Sequence, residues 1–575
     1  MPLTIDRAAE TAEPASRCRI TAAEVAALLA VAAATAFALA HSWNRWLEPI
    51  IDSGRDLYVP GAILHGAKLY SDLLYFYPPT TPYLLALITS VIGRSLAAYT
   101  AIGLASAITA AAVAYGIARQ ASGWTSAVSI TLLFVSLNLA GATTWGANWI
   151  FPYAYTATFA MTSLLIAVLF LYRFLFVTRA SSTGWLAMLF ALLSATMKIE
   201  YAAAVAALLA VSLVVYRLPL RYAAGMVLAG IAALILLSIY FHDPRPGHDW
   251  LRDNVLASSL LSGTTSRFFY GSVSGTDRWA SNLRSSLIGL LEISAMAGTI
   301  AMIDRMRVRS RAATAALAIV LGALFYFGAG ERFFMAWTLI MIALVPFALR
   351  EWRSSPLLLL LTVSLATAIR IIFFLGPWWY GFVLIIPTYL LIAYVLFHYL
   401  PRMKIYSEGA AKLWVLFFAL LAINGLARAL PAWAAKSEPV NSRMGTYYDY
   451  PYRAVPIEQF LRWMENRPAG ETLVVMPEGL TLNYLSGHPT NLSYQTFTPI
   501  EIADPEIEKR IVDELRQRRP DLVALVTRDV REFGYRGFGI DYGRPVIEFL
   551  RREYRPVGTA SSPRFRILVL QRNGG

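Results

Sequence analysis

Ile51-Asp52-Ser53-Gly54-Arg55-Asp56-Leu57-Tyr58, continued by Tyr75-Phe76-Tyr77-Pro78-Pro79, is a polar stretch set between one long apolar run and a succession of further ones. Upstream, Ala22 to Ala40 is apolar throughout; downstream, runs of about 20 residues with few charges recur as far as Leu430, each long enough to cross a hydrocarbon core about 30 Å thick. The polar stretch therefore reads as a loop at a membrane surface, carrying two carboxylates and an arginine.

Composition agrees. Of 575 residues 57% are hydrophobic and 15% charged, with a mean hydropathy of +0.52, against about 25% charged residues in an average soluble domain. The formal net charge of +14 does not point to nucleic acid, because much of the Lys and Arg lies in short clusters between apolar runs, where it acts as an orientation signal. A single cysteine, Cys18, excludes a disulfide framework within the chain. Six histidines without HxxxH or HExxH spacing give no support for a dedicated metal cage. The first run follows Arg7, Arg17 and Arg19 and has no A-x-A exit before His41, so it reads as an anchor rather than a cleaved signal peptide.

Parity gives a topology. The basic tail, 1–21, predicts a cytoplasmic N-terminus, and Trp43 and Trp46 suit an aromatic belt on the far side, which makes 41–95 the first external loop. Tyr83 to Gly93 offers only about 11 apolar residues and reads as a helix lying in the interface. That choice places Arg119, Arg173, Arg179, Arg217 and Arg221 inside, as the positive-inside rule requires. The remaining spans are expected near 96–118, 124–142, 151–172, 184–198, 200–216, 222–241, 286–303, 312–329, 333–349, 356–375, 379–399 and 411–430, about thirteen with the first. Asp304 to Arg311, Arg350/Arg353 and Arg402/Lys404 then face the cytoplasm. A long external loop is expected over 242–285. The transmembrane domain, 22–431, is followed by an external domain, 440–575, in a multi-pass protein of the inner (plasma) membrane.

That last domain reads as α/β. Leu473 to Met476 is a buried strand ended by Pro477 and Gly479, Ile507 to Arg518 has helical spacing, Leu522 to Val526 is a second strand, Val546 to Arg552 a second helix, and Phe565 to Leu570 a closing strand. The alternation suggests a parallel or mixed sheet. No glycine-rich phosphate loop follows a strand.

Asp52 and Asp56 lie about one helical turn apart with Arg55 between them, and share a face if the loop begins as a helix. Two readings stand: an ion-pair cluster that caps a juxtamembrane helix, or a carboxylate kept ionised by Arg55 as a general base. Lys198 and Glu200 interrupt an apolar stretch from Trp185 to Tyr216, either as a snorkelling pair or as part of a functional cavity. Glu331-Arg332 and Arg370 stand near the external ends of spans, as interfacial anchors or as phosphate binders, since the guanidinium fork matches phosphate oxygens. Trp145, Trp149, Trp378, Trp379 and Tyr380 read as belt residues or as the walls of a groove. Arg245, Arg252, Arg267, Arg278 and Arg284 add external cations suited to a lipid phosphate, a pyrophosphate or anionic headgroups.

These features together resemble the GT-C glycosyltransferases, and within them bacterial relatives of the protein O-mannosyltransferases and the lipid A aminoarabinose transferase. The resemblance rests on an N-terminal span, a long external loop with Asp52-x-x-Arg55 near its start, a Leu-Tyr pair, Tyr77-Pro78-Pro79, an interfacial helix, about a dozen more spans and a C-terminal α/β domain. It implies a polyprenyl-phosphate-linked sugar donor, a lipid, glycan or protein acceptor, and transfer outside the membrane with inversion. On that scheme Asp52 is the base, Arg55 keeps it ionised, Asp56 is a substitute second acid, and Lys198, Arg332 and Arg370 meet the donor phosphate. Glu200, Glu331 and Tyr77 complete the expected substrate site. Many members have Asp-Glu where this chain has Asp52-Ser53. The aminoarabinose transferases carry a lysine where Tyr77 stands, so neither lipid A nor aminoarabinose is carried over. A divalent metal is neither required nor excluded by the sequence. The alternative function is a transporter or flippase for lipid-linked sugars.

Overall fold

The computed structural model describes residues 20–139, 141, 147–242, 250–251, 263–306, 316, 330–352, 355–468 and 470–574. Cys18 and the basic tail, Trp145, Arg245, Arg252, Arg307, Arg309, Arg311, Arg353 and nearly all of the expected span 312–329 lie outside them.

The chain is a helical polytopic part followed by a small α/β domain. The helices used below are α1 (Ala22–Ser42), α2 (Gly54–Leu64), α3 (Thr80–Ile92), α4 (Leu96–Ser122), α5 (Trp124–Leu133), α6 (Tyr155–Arg173), α7 (Ser181–Met197), α8 (Ile199–Val214), α9 (Leu220–Tyr240), α10 (Thr264–Ser274), α11 (Trp279–Arg305), α12 (Trp337–Arg350), α13 (Leu357–Ala368), α14 (Ile386–Tyr394) and α15 (Leu413–Ala435). Among the described residues eight helical segments are long and apolar enough to cross a membrane unaided. Shorter apolar helices lie at 124–139, 181–197, 199–214 and 357–371, over four more of the positions expected to span.

Local signals start and stop these helices. Thr21 caps α1 by accepting the Glu24 N–H at 3.1 Å, and Ser95 caps α4 by accepting the Ala98 N–H at 3.2 Å. Glu24 is buried, and Arg119 of α4 donates to it from Nε at 2.6 Å. The helix α3 has 13 residues, about 20 Å of length, short of a bilayer core. Between α7 and α8 the backbone is extended at Lys198, with φ −153° and ψ 136°, so the two helices break at the charged residue.

The C-terminal domain contains β1 (Glu438–Ser442), β2 (Gly445–Asp449), α16 (Pro451–Glu465), β3 (Leu473–Met476), α17 (Thr481–Ser486), α18 (Pro505–Arg518), β4 (Leu522–Val526), α19 (Arg544–Glu553), β5 (Tyr554–Ser561) and β6 (Arg566–Arg572). β1 and β2 form an antiparallel hairpin, and the main sheet runs β3-β4-β6-β5. β3 and β4 are parallel, with Leu473 opposite Leu522, whereas β6 and β5 are antiparallel additions. The sheet is thus mixed. β5 escapes sequence reading because Pro556 and Gly558 break its pattern, and a bulge lies between them.

This domain is tied firmly to the helical part. Its backbone bonds to the first loop region at Tyr448 N–H to Asn44 O (2.8 Å), Leu96 N–H to Met444 O (2.7 Å) and Leu74 N–H to Ser493 O (2.9 Å). A buried charge network crosses the same junction. Arg453 of α16 donates to both oxygens of Asp449, at 2.5 and 2.7 Å, and to Glu48 at 2.7 Å, while Lys436 donates to the Arg45 carbonyl at 2.8 Å.

Candidate active site

A cavity of about 720 Å³ lies between the two parts. Its helical wall comprises Tyr153, Lys198, Glu200, Arg370 and Tyr380; the loop contributes Asp52, Arg55 and Tyr77, and the C-terminal domain Glu478, Glu501, Arg528 and Glu532.

Asp52 stands two residues before α2, in the left-handed region at φ 55°. Asp is one of the few residues that tolerates this conformation. Its Oδ1 accepts from Arg55 Nη2 at 2.5 Å, and its side chain retains 26% exposure against 10% for Arg55, so both line the cavity and the carboxylate is the more open of the two. The Arg55 guanidinium lies 5.4 Å over the Tyr77 ring and 3.6 Å from Glu501. Burial pushes the Tyr77 phenol up to about 12, which keeps it neutral.

Asp56 does not share that face. Because α2 begins at Gly54, Asp52 is outside the helix and Asp56 turns inward, buried, to accept the Tyr155 N–H at 2.5 Å. There it caps the start of α6, a favourable place for a carboxylate. Burial nonetheless pushes its carboxyl up to about 6, the Tyr155 N–H and Arg55 opposing. It does not line the cavity, so the expectation of a substitute second acid gives way to a structural one.

On the opposite wall, Lys198 Nζ donates to the Tyr153 hydroxyl at 2.7 Å and lies 3.2 Å from Glu200. The rings of Tyr77, Tyr153 and Tyr380 surround the ammonium at 5.6, 5.1 and 6.0 Å. Glu200 also pairs with Arg370, whose guanidinium lies 4.2 Å over Tyr380 and 5.1 Å over Tyr270. The helix break at Lys198 is what allows both ends of this triad to face one space. Arg267 lines the cavity as well, whereas Arg278 and Arg284 are exposed away from it.

Glu331 and Arg332 are not part of this site. Arg332 Nη2 is 2.7 Å from Glu292 of α11, Glu331 is exposed, and neither lines the cavity. Trp149 is not a belt residue either: it is fully buried in the helical core and donates to Ser106 at 3.1 Å. Trp46 is likewise buried, while Trp43 stays exposed and Trp379 reaches the cavity.

The C-terminal residues of the site escaped the sequence reading, although a signal for them exists. Glu478 follows the carboxyl end of β3 by two residues, and Arg528 follows that of β4 by two. Ligand sites in α/β sheets lie outside the carboxyl ends of parallel strands. Glu478 accepts the Asp52 N–H at 2.9 Å through Oε1 and Arg528 Nε at 2.7 Å through Oε2; Arg528 Nη2 also donates to Glu532 at 2.5 Å. Burial raises the carboxyls of Glu501 and Glu532 to about 7, with Arg55 and Arg528 respectively opposing. Among the described residues no group of three or more His, Cys, Asp or Glu gathers as a metal site would. The cavity carboxylates Asp52, Glu200, Glu478, Glu501 and Glu532 are each engaged by an arginine.

No protein-family model matches this chain, and no curated protein sequence matches it. Solved structures are similar to it along most of its length. ArnT from Cupriavidus metallidurans bound to undecaprenyl phosphate matches at 13% identity and a TM-score of 0.46, over 96% of this chain and 98% of that one. The archaeal oligosaccharyltransferase AglB from Archaeoglobus fulgidus, in complex with an inhibitory peptide and a dolichol-phosphate, matches at 13% identity and a TM-score of 0.47, over 95% and 74%.

Chemically, the cavity sets a carboxylate braced by a guanidinium on one side and a Lys-Glu-Arg triad walled by tyrosines on the other. The first can take a proton from an incoming hydroxyl or amine. The second can hold an anion, since cations stacked on rings and drawn out of water are strong phosphate partners.

Proposed function

We propose that this protein is an integral-membrane, inverting glycosyltransferase that uses a polyprenyl-phosphate-linked sugar and acts on a lipid, glycan or protein acceptor outside the membrane. One observation carries the reading: Asp52–Arg55 and Lys198–Glu200–Arg370, far apart in sequence, line one cavity at the junction of apolar helices and a polar domain. A donor with a long apolar tail and a charged head needs a site at that junction. The proposal includes an inner (plasma) membrane location, with 22–431 as the transmembrane domain and 440–575 on the outer side.

In the proposed step Asp52 takes the proton of the acceptor O–H or N–H as that atom attacks the anomeric carbon. The bond from the anomeric carbon to the phosphate oxygen breaks, and polyprenyl phosphate leaves. A single displacement inverts the anomeric centre. Lys198 and Arg370 stabilise the charge that grows on the leaving phosphate, the use of preorganised cations with the largest effect on rate. Glu200 orients both cations, and Tyr77 and Tyr153 exclude water around them.

The test is a panel of polyprenyl-phosphate sugars incubated with the purified full-length protein in lipid, with released polyprenyl phosphate measured. Release with at least one sugar, dependent on acceptor, is expected. Binding of all the donors without release, accompanied by movement of lipid-linked sugar across the bilayer, would replace the reading with a transporter.

A further inference from the structure

The loop that carries Asp52 is held from the C-terminal domain at three places. The Asp52 N–H donates to Glu478, Gly54 packs so closely on α17 that a Cβ there would lie 2.8 Å from the Leu480 carbonyl carbon, and Arg55 approaches Glu501 at 3.6 Å. Of these, the contact at Asp52 acts on the reacting residue itself. Asp52 keeps a positive φ of 55°, a conformation that Asp tolerates but at a cost, so a hydrogen bond to its own peptide helps to hold it there. Glu478 is buried, 3% exposed, and its second oxygen is fixed by Arg528, which is fixed in turn by Glu532. A chain of hydrogen bonds thus runs from the carboxyl ends of two parallel strands to the peptide of Asp52.

Resting on the glycosyltransferase reading above, we infer that Glu478 is a positioning residue for Asp52. By holding the Asp52 peptide in its left-handed conformation it turns the carboxylate toward the cavity, and it makes the C-terminal domain a part of the catalytic unit rather than a lid. Glu478 exchanges no proton with substrate; its effect passes through Asp52.

Two variants separate this role from simple stabilisation. Glu478→Ala removes the acceptors of both the Asp52 N–H and Arg528 Nε, whereas Glu478→Gln keeps one carbonyl oxygen for the Asp52 N–H and gives up the acceptor of Arg528 Nε. In full-length protein, Glu478→Ala is expected to lower kcat about 10- to 100-fold, the scale of a misplaced catalytic group, with the donor KM changed less than about 3-fold. Glu478→Gln is expected to fall between wild type and Glu478→Ala. Amide exchange supplies a readout that needs no donor: the Asp52 amide should exchange about 10-fold faster in Glu478→Ala, with the Leu57 and Leu525 amides unchanged. Unchanged exchange at Asp52, faster exchange throughout α2 and β4, or an equal loss in both variants would overturn the inference. Turnover that survives Asp52→Asn would instead remove the base assignment, and with it this inference. A faster-exchanging Asp52 amide with wild-type kcat would overturn the inference alone.

Discussion

Two buried charge clusters bridge the helical part and the C-terminal domain, and they differ in what they face. Arg453, Asp449, Glu48 and Lys436 form one: every charge is 8% exposed or less, and Arg453 is paired with two carboxylates. Asp52, Arg55, Lys198, Glu200 and Arg370 belong to the other, which opens on a cavity and leaves Asp52 and Glu200 about a quarter exposed. Burial of charge is common to both, so burial alone does not mark a site. The closed cluster reads as a clamp, and the open one, walled by tyrosines, as a place for a ligand.

Loss of the clamp should have the largest effect. Arg453→Ala leaves Asp449 and Glu48 buried without their cation and should cost about 3–5 kcal/mol, read as a lower thermal unfolding midpoint of the purified protein. A variant with wild-type stability would show that the clamp holds nothing. Next in size, Lys198→Ala should lower turnover about 100-fold, the cost of removing one charge-stabilising donor, while leaving the unfolding midpoint much closer to wild type than Arg453→Ala does. If Lys198→Ala instead unfolds the protein, the cavity wall is structural like the clamp.

Glu501 makes the open cluster sensitive to pH. Its carboxyl rises from an ordinary value of 4.5 to about 7 on folding, because burial disfavours the charged form. A carboxyl raised in the folded state binds its proton more tightly there than in the unfolded chain. Its stabilising share is therefore complete below about pH 4.5 and is lost as pH climbs to about 7. Glu501→Gln should flatten the fall of the unfolding midpoint across that window, and an unaltered slope would contradict the assignment. The smallest effect belongs to Arg332, whose partner is Glu292 and not the cavity: Arg332→Ala should keep turnover within about 2-fold, as partly exposed ion pairs contribute little.

Much of this was legible in the sequence, for reasons that can be named. Apolar runs of bilayer length marked the helices, the strand at 473–476 followed from an apolar run ended by Pro477 and Gly479, and that at 522–526 from a second apolar run. Lys198 and Glu200 stood out because charge in an apolar stretch is costly, and with Asp52, Arg55, Tyr77 and Arg370 they do line one cavity. Arg332 misled because nearness to the end of a span does not say which neighbour an arginine meets. Asp56 misled because its spacing from Asp52 assumed a helix that begins two residues later. Glu478, Glu501, Arg528 and Glu532 were invisible because their role depends on how the C-terminal domain docks, a long-range contact with no local signature; only the strand-end positions of Glu478 and Arg528 hinted at it.

The most direct test of the central claim compares wild type with Asp52→Asn in polyprenyl-phosphate release, alongside the unfolding midpoint of each. Asn keeps the size of Asp and can still accept from Arg55, but it cannot take a proton. Release should fall about 10²- to 10⁴-fold, the usual contribution of a general base, with the midpoint close to wild type. Asp52→Asn that releases polyprenyl phosphate at the wild-type rate would show that Asp52 is not the base.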